Sequence, residues 1–223
     1  MKCPRCVQKI HRGAELCPHC GFSVLDLELL YGAEEVHMSR LSDLAGVLRL
    51  KERHKAVALL DQFEKVFPQL FFSVHFGALD ERANIRQFGM WLLNKAAYED
   101  VDIGKPNDAG ILLVVDVNSK SATISFGYFL DRFLTEEDTF QILSKAHPYF
   151  LQGSYLKALK VILHATVKVL KKRSKYIKRR PELYQDNQGS GSGIKNLKPI
   201  RNRVSKSDTS VKSVPSVEKG VLK

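Results

Sequence analysis

Apolar residues recur along this chain with two different periods, and each change of period marks a new element. Between Lys51 and Phe67, Ala56, Leu59, Leu60, Phe63 and Phe67 follow at the steps of one helix face, and Pro68 predicts the end of that helix. Leu70 to Phe76, short and rich in Phe and Val, predicts a strand. A second helix is expected over Arg82 to Tyr98, burying Ile85, Phe88 and Leu92. "GILLVVDV" (Gly110 to Val117) is continuously apolar, as a central strand covered on both faces must be. "SATISFGY" (Ser121 to Tyr128) predicts its neighbour, joined through the turn formers Asn118 and Ser119. Helices follow around Glu136 to Ala146 and from Ser154 to about Lys175, the latter carrying Leu156, Leu159, Leu163 and Leu170 inward. Upstream, Leu25 to Val36 predicts a connecting helix with Leu25, Leu29 and Leu30 on one side. The order of elements predicts a three-layer α/β/α sandwich over residues 40–172.

Charge changes the picture only at the C-terminus. The 223 residues hold 35 Lys and Arg against 24 Asp and Glu, but residues 171–223 contain 15 and 4 of these, so the remainder balances at 20 each. "KKRSKYIKRR" places seven cations in ten residues, Pro181 ends any helix, and "QGSGSG" (Gln188 to Gly193) has linker chemistry. A tail over 173–223 with so few aromatics is expected to be largely disordered. Its cations at 171–180 would attract nucleic-acid phosphates or anionic lipid headgroups without sequence preference. No stretch is apolar enough for a membrane span and no signal-peptide pattern opens the chain, so the expected location is the cytoplasm.

All four cysteines lie in "CPRCVQKIHRGAELCPHCGF" (Cys3 to Phe22). Cys3 and Cys6 form one C-x2-C pair and Cys17 and Cys20 a second, the spacing of a tetrahedral zinc site. Four thiolates would close the shell and leave no position for a reacting water, so a zinc ion there is structural. Two disulfides are the competing reading and would need an oxidising compartment. His11 and His19 are surplus to four sulfurs and expected to be exposed. This segment, residues 1–24, resembles the small zinc ribbons that open many bacterial proteins, which implies a bacterial source; residues 25–39 would connect it to the core.

Within the core, "SDLAGVL" (Ser42 to Leu48), "NDAGILLVVD" (Asn107 to Asp116), "ISFGYFLDRFLTEED" (Ile124 to Asp138) and "HPYFLQGSYLKAL" (His147 to Leu159) together resemble the TPM domain family. Its members include a thylakoid acid phosphatase, photosystem II repair factors and an animal acetylcholine-receptor modulator. The resemblance implies the same α/β/α sandwich.

The members with phosphatase activity imply loop carboxylates with a divalent ion. By position these would be Asp43, Asp108, Asp131 and Glu136, with Mg2+ or Ca2+ as the ion and Asp43 and Asp131 as catalytic candidates. Asp43 and Glu136 also stand where they could cap helices, and Asp108 where it could make a turn. Phe129 replaces the family's second glycine, and Asp131 its Glu with a shorter reach. His54, His75, His147 and His164 have no evident partners and are expected at the surface or core edge. The functional expectation is an interaction or scaffolding protein with an unidentified protein partner. Metal-assisted phosphomonoester hydrolysis and nonspecific polyanion binding by the tail are the alternatives.

Overall fold

The structure, a computed structural model, describes residues 2–11 and 14–179; of the tail expected to be disordered, residues 173–179 are instead helical, and 180–223, with the glycine-serine stretch, lie outside the described residues. After the cysteine segment come α1 (Val24–Tyr31), β1 (Val36–Met38), β2 (Leu41–Asp43), α2 (Leu50–Val66), β3 (Phe71–Gly77), α3 (Ile85–Lys95) and β4 (Ala96–Tyr98). β5 (Gly110–Asp116), β6 (Ser121–Phe126), α4 (Glu136–Leu151) and α5 (Tyr155–Arg179) complete the described chain.

The main sheet runs β2-β3-β5-β6, with β2, β3 and β5 parallel and β6 antiparallel to β5. Side-chain alternation along a strand sends successive residues to opposite faces. Ile111, Leu113 and Val115 of β5 therefore join Phe72, Val74 and Phe76 of β3 in a core shared with α2, α4 and α5. Leu112 and Val114 point the other way, onto Leu92 and Leu93 of α3. Every residue of β3 and of β5 is buried, as the continuous apolar runs require of strands covered on both sides. Helices on both faces make this a three-layer mixed α/β fold.

Three short strands escape the periodicity. β1 and β4 form a separate parallel pair, with Val36 opposite Ala96 and Met38 opposite Tyr98, so the expected helix over Arg82 to Tyr98 ends at Lys95. Asn84 caps α3, accepting from the Arg86 and Gln87 N–H groups at 3.0 and 3.3 Å. Arg40, between β1 and β2, ties three segments together. Its guanidinium donates to Asp61 at 2.9 Å, to Asp100 at 3.1 Å and to Glu64.

The expected connecting helix is also shorter, and its face is different. Leu27 is the buried residue of α1, whereas Leu25, Leu29 and Leu30 are exposed. Ser23 and Asp26 form a capping box that starts the helix one residue before Leu25.

Candidate functional site

The cysteines sit in two matching tight turns. After Cys6, Val7 adopts a left-handed φ of 63° and its N–H donates to the Cys3 carbonyl at 2.9 Å; after Cys20, Gly21 has φ 69° and donates to the Cys17 carbonyl at 2.9 Å. Each turn is closed again beyond that residue, Cys3 N–H donating to Gln8 O and Cys17 N–H to Phe22 O, both at 2.8 Å. The turns face each other so that Cys3 Sγ lies 3.7 Å from Cys20 Sγ and Cys6 Sγ lies 3.6 Å from Cys17 Sγ. All four sulfurs fall within 4.8 Å of one another. The cysteines are free, and these separations far exceed the ~2.05 Å of a disulfide. They are those of a tetrahedral thiolate set, since metal–sulfur bonds of ~2.3 Å put sulfur edges at ~3.8 Å.

Their titration fits that grouping. Burial pushes the Cys17 thiol up, but the His19 and Cys20 N–H groups and the Cys6 thiol outweigh it and bring it to about 7. Cys20 is pushed up to about 12, by burial first and then by the neighbouring thiols. Thiolates held this close repel one another, and a divalent cation among them would relieve that repulsion. His11 and His19 are exposed.

This unit is docked on the core. Cys3, Cys17, Phe22 and Leu27 form an apolar cluster against Met90 and Trp91 of α3. Trp91 Nε1 donates to Gly32 O at 2.8 Å, Lys95 Nζ donates to Ala33 O at 2.8 Å, and Lys95 also pairs with Glu28 at 2.6 Å. The Tyr31 ring packs on Phe88 and Trp91, centroids 5.5 and 5.4 Å away. A cavity of about 60 Å³ is left at the seam, bounded by Lys2 and Pro4 on one side and by Arg86, Asn107, Tyr128 and Glu136 on the other. That is room for a few waters, against the ~300 Å³ and upward of a small-molecule pocket.

The four acidic candidates divide between two ends of the sheet. Asp43 closes β2, level with Phe76 and hence with Val115 near the C-terminal end of β5. Asp108 precedes Gly110 at the other end, beside the residues that follow Phe126. Five strand residues, ~16 Å at the usual rise, separate the two levels, so Asp43 and Asp131 cannot share an ion. Asp43 is buried, its oxygens each accept an N–H at 3.0 Å, from Val47 and Leu48, and Arg53 Nε stands 3.8 Å away. It builds the loop that leads into α2.

Asp116, which no sequence motif singled out, does the same on β5. It accepts from the N–H groups of Leu79, Asn118 and Ser119 at 3.1, 3.2 and 3.2 Å and from the Ser119 hydroxyl. Burial raises its pKa, but these donors outweigh it and hold the carboxyl below its ordinary value.

At the other end, Glu136 opens α4 behind Thr135, whose hydroxyl forms a capping box with Asp138. Burial raises the Glu136 carboxyl, opposed by the charges of Arg86 and of Lys2. Tyr128 is raised by burial and by Asp108 and Asp131. Asp108, Asp131 and Glu136 are thus within electrostatic reach of one region, but among the described residues only the four cysteines converge to ligand distance.

A model of the TPM domain matches residues 41–169. The chain belongs to the TPM domain family. Comparison with curated proteins yields no match. Solved structures of similar shape include the N-terminal domain of a protein from P. gingivalis, 18% identical with a TM-score of 0.48, covering 76% of this chain and 98% of that one. Another is the BA42 protein of the psychrophilic bacterium Bizionia argentinensis, at 16% identity and TM-score 0.48, covering 59% of this chain and 86% of that one. The N-terminal domain of a protein from Corynebacterium glutamicum is 12% identical with TM-score 0.46, covering 61% of this chain and 82% of its own.

Within this TPM domain, Gly127 is in contact with the chain itself. A Cβ there would stand 2.2 Å from the Asp108 carbonyl oxygen. Phe129, at the second glycine position, is half-buried against Phe133, ring centroids 6.0 Å apart. Of the histidines in the TPM domain, His54, His147 and His164 are exposed. His75 differs from expectation: it is buried on β3, has Ser42 Oγ at 3.2 Å from Nδ1, and stacks near Phe88. Burial lowers its pKa. No helix among the described residues is long and apolar enough to cross a membrane.

Proposed function

We propose that this TPM-domain protein is an interaction module whose N-terminal unit is a zinc ribbon. Cys3, Cys6, Cys17 and Cys20 hold one Zn2+, which when bound neutralises the thiolates and fixes the two turns. The observation that carries the interaction reading is the apolar surface of the ribbon and α1. Leu16, Leu25, Leu29 and Leu30 are 58%, 67%, 86% and 62% exposed on a unit held rigidly to the core by Trp91 and Lys95. Between Ala14 and Val36 there are five acidic residues and no Lys or Arg, and Glu15, Glu34 and Glu35 are exposed, so this segment is acidic as well as apolar. The partner that fits is a protein segment apolar on one side and basic at its edges.

Hydrolysis is the weaker reading. The carboxylates do not converge to ligand distance, and the cavity beside Glu136, about 60 Å³, is small and lined in part by Lys2 and Pro4. Two measurements on full-length, metal-loaded protein test the choice. Photocrosslinking from position 29 should give one defined partner that Leu25→Asp abolishes. Phosphomonoester turnover with Mg2+ or Ca2+ that disappears in Asp131→Asn and Glu136→Gln would overturn the proposal.

A further inference from the structure

On the sheet face opposite α3 and the ribbon, α5 carries nine Lys and Arg between Tyr155 and Arg179 and no acidic residue. Its basic side chains are ordered. Lys160, His164, Lys168, Lys172, Lys175 and Arg179 follow at steps of four, four, four, three and four, which is one helix face, and all six are exposed. They line an open groove of about 1430 Å³ whose other wall comes from α2 and α4, including Lys145. Asp138 is the single carboxylate lining it, and it is engaged by Arg173 at 3.4 Å and by the Thr135 cap. The row spans ~28 Å at the helical rise of ~1.5 Å per residue.

We infer that this groove is a track for the phosphate backbone of a nucleic acid. It takes the chain beyond the protein-partner reading and does not depend on it, because the surface is a different one. A row of unneutralised cations along a concave wall follows a phosphodiester strand, where each cation can release one condensed counterion. Membrane adsorption fits less well. The apolar residues of α5, among them Leu159, Ile162, Leu163 and Leu170, are committed to the core, so the helix has no apolar face to insert, and a planar bilayer does not enter a groove. The geometry offers no base-reading element, so binding is independent of sequence.

The test uses the full chain, because the tail beyond Arg179 is basic too. Fluorescence anisotropy with a labelled 20-nucleotide oligothymidine is followed from 50 to 300 mM salt. Two variants are compared: a groove variant with Lys160→Gln, Lys168→Gln, Lys172→Gln and Lys175→Gln, and a tail variant with Lys195, Lys198, Arg201, Arg203, Lys206 and Lys212 each changed to Gln. All four groove positions are exposed, and circular dichroism of each variant is compared with that of the unaltered chain to check the fold. The groove variant should weaken binding more than tenfold and reduce the slope of log K against log salt by about 2 to 3, at ~0.7 per lost single-strand contact. The tail variant should change both by less. Unaltered affinity and slope in the groove variant, a larger loss in the tail variant, or no binding at 50 mM salt would overturn the inference. Preference for vesicles containing phosphatidylserine over the oligonucleotide would overturn it in favour of a membrane surface.

Discussion

Replacing Gly127 by alanine tests whether the two loops at the N-terminal end of β5 are held together by backbone contact. Gly127 has φ −71° and ψ 163°, a conformation open to any residue, so the substitution carries no backbone penalty. The added Cβ would stand 2.2, 2.3 and 2.4 Å from the oxygen, carbonyl carbon and Cα of Asp108. Ordinary contact lies near ~3.5 Å, so the strands of chain must part by ~1 Å. Both sides are backbone, and the Gly127 N–H is bonded to Gly110 O at 3.0 Å, so neither can rotate away. Overpacking of this kind costs about 3 kcal/mol, the upper part of its usual range. For a chain of this length that lowers Tm by ~6–12 °C. Gly153 is the control: its φ is 68° with nothing within 4 Å, so Gly153→Ala costs only the left-handed backbone, about 1 kcal/mol. Urea titrations with equal m-values should rank Gly127→Ala well below Gly153→Ala. The reverse order would refute the close-contact account.

Chelating the ion proposed for Cys3, Cys6, Cys17 and Cys20 should shift the emission of Trp91, the only tryptophan, to the red while leaving the core helices intact, because its indole is bonded to Gly32 at the seam with the cysteine unit. Unchanged fluorescence after metal removal would show that docking does not need the ion. Val7 is β-branched at a left-handed φ, so Val7→Gly should relieve about 1 kcal/mol and slow metal loss to a competing chelator roughly fivefold. Burial depresses the His75 pKa below its ordinary 6.5, so the unfolded chain takes up the proton more readily. Stability should be complete above that value and decline as pH falls through it, and His75→Gln should flatten the urea midpoint between pH 7.5 and 5.5. Arg40→Ala should cost about 2 kcal/mol, less than a fully buried pair, because Asp61 and Asp100 are partly solvated; an unchanged urea midpoint would deny the clamp.

The large elements were legible because burial imposes a period. Phe71 to Gly77 and Gly110 to Asp116 are buried throughout, and such strands are mostly apolar, with the few polar side chains, Ser73, His75 and Asp116, each hydrogen-bonded. Three-residue strands such as Val36–Met38 and Ala96–Tyr98 contain too few positions to show alternation, and only a remote partner makes them strands. In α1, leucines at 25, 27, 29 and 30 point around the helix, so periodicity could not identify Leu27 as the inward one. The cysteine centre was legible because its spacing is a chemical constraint. The acidic candidates were not, because sequence order carries no information on which end of a sheet a loop occupies; only the register sets Asp43 apart from Asp108. Pro148 inside α4 likewise continues a helix expected to stop by Ala146.

The order of strands also bears on how the molecule assembles. β5 and β6 are joined by the four residues 117–120, whereas β3 reaches β5 only across residues 78–109. Closing the longer segment costs about 2 kcal/mol more chain entropy, so the hairpin should order first and show the highest φ-values. On the ribosome that sequence is inverted: the cysteine turns, with all their ligands in the first 20 residues, can take up metal long before Gly110 has been made. Until then β3, largely apolar and buried throughout in the finished fold, has no central neighbour. Nascent chains halted between Gly77 and Gly110 should therefore be the stage most dependent on chaperones, measurable as protease sensitivity that vanishes once β6 has emerged.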